Sequence, residues 1–88
     1  VLLASTPARR EVELWEWRLE PGEFYKTNAD PEGFSEQVFV FEGVLTLLID
    51  GEERVLAAGE FFTYASNRTH GYRNDGPVAT RFVRNVVI

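Results

Sequence analysis

Glycine and proline interrupt this chain at short intervals, at Pro21-Gly22, Pro31, Gly33, Gly43, Gly51, Gly59, Gly71 and Gly76-Pro77. A helix of any length would have to cross them, at about 1 kcal/mol for each glycine and about 3 kcal/mol for each proline. The runs between them are rich in Val, Phe, Tyr, Trp, Leu and Thr, the residues that suit a pleated, half-buried surface. Evenly spaced short strands with turn signals predict an all-β fold, a small antiparallel barrel or sandwich. Chain length limits it to one domain: 88 residues bury only about 60–65% of their unfolded surface, enough for a single core.

The predicted strands are "EVELWEWRLE", "VFVF", "VLTLLI", "EERVLAAG", "EFFTYA", "HGYRN" and "VATRFVRNVVI". Asp50-Gly51 reads as a two-residue hairpin turn. The first strand breaks its own alternation, because Val12 and Leu14 have one parity while Trp15, Trp17 and Leu19 have the other. One face cannot hold both sets, so either a bulge near Leu14-Trp15 shifts the phase or the strand is covered on both sides, as by a second subunit. Residues 1–10, with Ser5-Thr6-Pro7 and Arg9-Arg10, read as a linker or arm, and 11–88 as the domain.

Charge and composition exclude several roles. Net charge is −5 with a pI near 4.8, and the arginines are scattered, so the domain lacks the clustered basic face that phosphate binding needs. No run approaches the roughly 20 apolar residues of a membrane span and no signal peptide is visible, which makes cytoplasmic the expected location, with no membrane partner. Without cysteine there is neither a disulfide nor a thiolate metal site. The chain starts at Val1 rather than Met, and we read it as a piece of a longer protein.

Two blocks carry a recognisable spacing. Gly59, five residues, Ala65-Ser66-Asn67, two residues, His70, three residues, Asn74 resembles the second cupin motif, with Ala65 and Asn67 in place of its Pro and Gly. Gly22, five residues, Asn28-Ala29-Asp30, then Glu36 and Gly43, resembles the first, in which two histidines would stand at Asn28 and Asp30. The gap from Asp30 to Glu36 is one residue longer than usual. The resemblance spans about Trp15 to Ile88 and implies a cupin-type β-barrel, a double-stranded β-helix or jelly roll. A narrower likeness rests on "LEPG", Pro31-Glu32-Gly33 and "EGVLTL", which are similar to the C-terminal cupin of bacterial Xre-type helix-turn-helix regulators. That likeness implies a small-molecule effector and DNA contact only through a separate domain outside this chain, while the common pairing of cupins, with the two-faced first strand, implies a homodimer. Histidines often found at Asp30 and Gln37 in that group are replaced here.

The resemblance makes Glu36 and His70 the inherited members of a metal set. Asp30 is the third candidate, and two carboxylates with one histidine suit a divalent transition metal with open positions. The alternative is a metal-free pair in which a buried His70 is hydrogen-bonded to Glu36, with Asn28 and Asp30 as turn residues. Arg84 interrupts the otherwise apolar even face of the last strand: pointing inward it needs an anion, Glu36 or a ligand carboxylate, and otherwise it is an exposed arginine on a half-covered strand. Tyr64, Tyr72 and Phe41 complete the predicted ligand-binding set with His70, Glu36 and Arg84. The leading expectation is a non-catalytic sensor domain without a cofactor. The alternatives are a small metal-dependent enzyme, of dioxygenase or isomerase type, marked by convergence of Asp30, Glu36 and His70, and a structural dimerisation module with a solid core.

Overall fold

A computed structural model describes Leu2, Ala4, Ser5 and residues 11–88; most of the predicted arm lies outside the described residues. The strands are β1 (Val12–Leu19), β2 (Phe24–Thr27), β3 (Ser35–Glu42), β4 (Val44–Ile49), β5 (Glu52–Ala57), β6 (Phe61–Ala65), β7 (His70–Arg73) and β8 (Thr80–Val87). They form two antiparallel four-stranded sheets in the orders β1-β8-β3-β6 and β2-β7-β4-β5. Among the described residues there is no helix, so the all-β expectation holds. Strand β2 was not foreseen, because four residues with a central lysine give too little alternation to read.

The two sheets face each other across a core that includes Val38, Val40, Leu45, Leu47, Tyr72 and Phe82, all fully buried. Alternation sets which side chains face it. In β3, Glu36, Val38 and Val40 point inward. Opposite them in β8 stand Phe82, Arg84 and Val86, and beyond these in β1 stand Trp17, Trp15 and Glu13.

Strand β1 pairs with β8 without interruption from Val12↔Val87 to Leu19↔Thr80, so the bulge expected near Leu14-Trp15 is not there. The odd set faces inward, while Val12 and Leu14 point out, 53% and 72% exposed. The register irregularity lies in β3, between Val40 and Glu42. The Asp50-Gly51 hairpin is as read. Ile49 pairs with Glu52 across it, and φ is 51° at Asp50 and 79° at Gly51, the left-handed pair of a type I′ turn. Gly43 does something different: it carries the chain from β3 in one sheet to β4 in the other.

Candidate functional site

Glu36, on the inner face of β3, is 2% exposed. Its neighbours come from β6, which pairs with β3 in the same sheet, and from β7 in the opposite sheet. The Tyr64 hydroxyl donates to Oε1 at 2.5 Å, and the Tyr72 hydroxyl donates to the same oxygen. His70 Nε2 lies 3.1 Å from Oε2, with both side chains almost wholly enclosed. A buried carboxylate is tolerated only when its oxygens are satisfied, and here the protein supplies three donors.

The other ring nitrogen fixes the chemistry of His70. Nδ1 is 2.7 Å from the Arg68 carbonyl oxygen, which can only accept, so Nδ1 carries a proton. In a neutral ring Nε2 would then present a lone pair to the Glu36 carboxylate. A proton, on Nε2 or on the Glu36 carboxyl, or a cation must sit between them.

The pKa directions agree with the proton. Burial alone would push Glu36 up, but the hydrogen bonds from His70, Tyr64 and Tyr72 outweigh it and hold the carboxyl below its ordinary value. Burial alone would push His70 down, but the bond to Glu36, the Arg68 carbonyl and the charges of Glu36 and Asp30 raise it. Burial, then the charges of Tyr72 and Glu36, push Tyr64 up; burial, then the charge of Glu36, push Tyr72 up. Both phenols therefore stay protonated and donate.

The facing charged and titratable groups are thus Asp30, Tyr64, Tyr72 and, through Tyr72, Arg84. Linkage gives a pH profile. Glu36, lowered in the fold, stabilises above its ordinary 4.5, and that contribution is lost as pH falls through the lowered value. His70, raised in the fold, stabilises fully below its ordinary 6.5, and that contribution is lost as pH rises through the raised value. Urea midpoints measured across both limits are expected to plateau between 4.5 and 6.5 and fall on either side. A midpoint still rising above the raised His70 value would contradict the pair.

Asp30 joins this centre. Its backbone N–H is held by the Ser66 carbonyl at 2.9 Å, and its carboxylate, Glu36 and His70 offer ligand atoms that all lie within 4.8 Å of one another. Asn28 is exposed. The donor set fits a divalent metal: one imidazole oriented by a carbonyl on its other nitrogen and two carboxylates, one steadied by hydroxyl donors. Donors roughly 2.1 Å from one cation and at right angles stand roughly 3 Å apart, close to the separation of the Glu36 and His70 atoms. Proton and cation compete for that one place, and whatever raises His70 favours the proton.

Arg84 points inward from β8. Its Nη1 donates to the Tyr72 hydroxyl at 3.1 Å, which links it to Glu36 through that hydroxyl. Its guanidinium lies over Trp17 at 5.0 Å, Trp15 at 5.5 Å and Tyr72 at 5.6 Å. The exposed-arginine alternative is therefore overturned. Burial works against its charge, but Tyr72 and the negative charges near it hold its pKa above the ordinary value.

Of the predicted set, His70, Glu36, Asp30, Tyr64, Tyr72 and Arg84 converge, and Phe41 does not. With Val38 and Val40 on the inner face, Phe41 turns outward at the irregularity, 38% exposed beneath Arg81. Sequence reasoning treated Trp15 and Trp17 chiefly as core and passed over Tyr25. Tyr25 pairs with Tyr72 and meets Trp17 edge-on at 4.8 Å. The signal for Trp15 was available: opposite an inward arginine, its parity places it on the same face. Asn74, which fits the second motif, has a structural task, since its Nδ2 donates to the carbonyls of Leu19 and Val78 and its Oδ1 accepts from Gly76.

A cupin-domain family model matches residues 15–87. The chain is a cupin. It is 34% identical over 65 residues to the HTH-type transcriptional regulator SutR of Escherichia coli (strain K12), a match covering 74% of this chain. The chain spans little more than a third of that relative, 36% of its length. Among solved structures it is similar to the cupin domain of an XRE family transcriptional regulator from Enterobacter cloacae, with TM-score 0.84 and 27% identity over 88% of this chain and 81% of that one. It also shares its fold with a predicted oxalate decarboxylase from Thermotoga maritima, TM-score 0.74 at 20% identity over 85% of this chain and 64% of that one. The cupin fold read from the two motifs is thus the fold of the chain.

Proposed function

We propose that this cupin is the small-molecule-sensing, non-catalytic domain of a cytoplasmic bacterial helix-turn-helix regulator, with DNA contacted by a separate domain. One observation carries the reading. Trp15 and Tyr25 project from the inner faces of opposite sheets yet are each 47% exposed, beside an inward Arg84. Inward aromatic side chains that remain accessible mark a binding mouth, whereas a packed core would cover them. The likeness to SutR and to the Enterobacter domain supports the regulatory context, and the net charge of −5 suits a unit that leaves DNA to another segment. Outward-facing Val12 and Leu14 suit the pairing of two copies. An effector would shift the regulator between two states in proportion to its difference in affinity for them.

The test is to incubate the purified chain with a low-mass bacterial metabolite extract, desalt it, and record a native mass spectrum. A stoichiometric organic adduct on a dimer is expected. A folded chain that captures nothing from the extract would contradict the reading.

A metal-dependent cupin enzyme is the second reading, favoured by the convergence of Asp30, Glu36 and His70. Those three residues would hold a divalent cation, which when bound supplies a Lewis acid. The same spectrum tests it: a transition metal retained stoichiometrically, and lost in His70→Ala, would favour the enzyme over the sensor.

A further inference from the structure

Two buried hydrogen-bond donors in the cluster around Arg84 have no acceptor among the described residues: Arg84 Nε and the indole Nε1 of Trp17. They belong to neighbouring side chains, the guanidinium lying 5.0 Å over the Trp17 ring. Buried donors are nearly always matched, and two orphans together, one of them on a charged group, ask for an acceptor that carries negative charge.

The described residues do not supply it. Arg18, Arg68, Arg73 and Arg81 each have a carboxylate partner. Of the described arginines without one, Arg54 is exposed, whereas Arg84 is half-buried among aromatic rings. The buried carboxylate of Glu36 is reached only through the Tyr72 hydroxyl and is already satisfied by two tyrosines and His70.

We propose that Arg84, with Trp17, binds the carboxylate of a small monoanionic ligand whose apolar, planar body lies against Trp15 and Tyr25. This rests on the sensor reading and names the ligand class. With Nη1 committed to Tyr72, the edge bearing Nε is the one left to engage a carboxylate, a geometry guanidinium favours. Trp17 Nε1 is the companion donor. The buried carboxylate of Glu36, linked to Arg84 through the Tyr72 hydroxyl, repels a second negative charge, which selects a monocarboxylate over a phosphate dianion. The half-exposed faces of Trp15 and Tyr25 offer flat apolar surface at the mouth.

The chain has two tryptophans, Trp15 and Trp17, and both belong to this site, so intrinsic fluorescence reports on it alone. The probes are phenylacetate, its uncharged counterpart phenylacetamide, and inorganic phosphate. Phenylacetate is expected to give a saturable change, with phenylacetamide about ten- to a hundredfold weaker, the span of a charge-assisted hydrogen bond. Phosphate is expected neither to change the signal nor to displace phenylacetate. In Arg84→Gln the acid and the amide should become alike. The acid–amide difference in the unmodified chain needs no variant, so it decides the matter even if Arg84→Gln folds poorly.

Equal responses to acid and amide, no response to acid, a difference that survives in Arg84→Gln, or phosphate binding as strongly as phenylacetate would each overturn the proposal. A compound captured from the metabolite extract with affinity unchanged in Arg84→Gln would overturn the carboxylate assignment and leave the sensor reading standing. An acid-selective response with nothing captured from the extract would support the carboxylate site and count against the sensor.

Discussion

Replacing Glu36 with alanine should lower the stability of this cupin by about 3–5 kcal/mol, whereas replacing it with glutamine should cost no more than about 1 kcal/mol at neutral pH. Alanine strands three buried donors at once: the hydroxyls of Tyr64 and Tyr72 and the charged ring of His70. A chain of this size has a total stability of only about 4–13 kcal/mol, so a large part of the margin would go. Glutamine can satisfy every partner. Its carbonyl oxygen accepts from the two tyrosines, and its amide N–H donates to Nε2 of a neutral His70 that keeps its Nδ1 proton on the Arg68 carbonyl. Urea denaturation of both variants checks this, and Glu36→Gln should also flatten the pH profile. Equal losses in the two variants would show that the carboxylate's charge, rather than its hydrogen bonds, holds the interior together.

Gly43→Ala should cost about 2–4 kcal/mol, with Gly33→Ala as a control costing about 1 kcal/mol. Both glycines have left-handed backbone, φ +75° and +93°. They differ in what a methyl group would meet. At Gly33 nothing lies within 4 Å, whereas at Gly43 the Ala79 carbonyl oxygen is 2.6 Å away and Thr80 Oγ1 2.9 Å away. Neither neighbour yields easily, since one is backbone and the other donates to the Val44 carbonyl at 2.7 Å. The link between the sheets would have to move, and with it the start of β8 that carries Arg84 toward the interior. Thermal or urea unfolding of the two variants separates backbone strain from collision; similar losses at both positions would remove the collision argument.

Strict alternation made much of this legible. In β8, Thr80, Phe82, Arg84 and Val86 keep one parity, so the inward arginine could be read as a residue in need of an anion. The order of Gly22, Glu36, Gly43, Gly59, His70 and Asn74 disclosed the barrel and two members of the buried centre. What alternation could not decide was the phase of β1, where apolar residues occupy both parities and only pairing with β8 shows Trp15 and Trp17 to be the inner pair. Phe41 was misplaced because a run apolar on both faces does not say which phenylalanine turns out. The two tyrosines on Glu36 Oε1 come from different sheets, a contact between strands that local spacing does not encode.

The central claim is that a proton bridges Glu36 and His70 while ligand recognition falls to the neighbouring arginine and aromatic residues. The chain has a single histidine, so nitrogen-15 NMR of the imidazole observes His70 without assignment ambiguity. At pH 6.5, where an ordinary histidine is half protonated, the account predicts a ring protonated at both Nδ1 and Nε2. A neutral ring carrying only the Nδ1 proton would contradict it, since Nε2 would then have no proton to donate to Glu36.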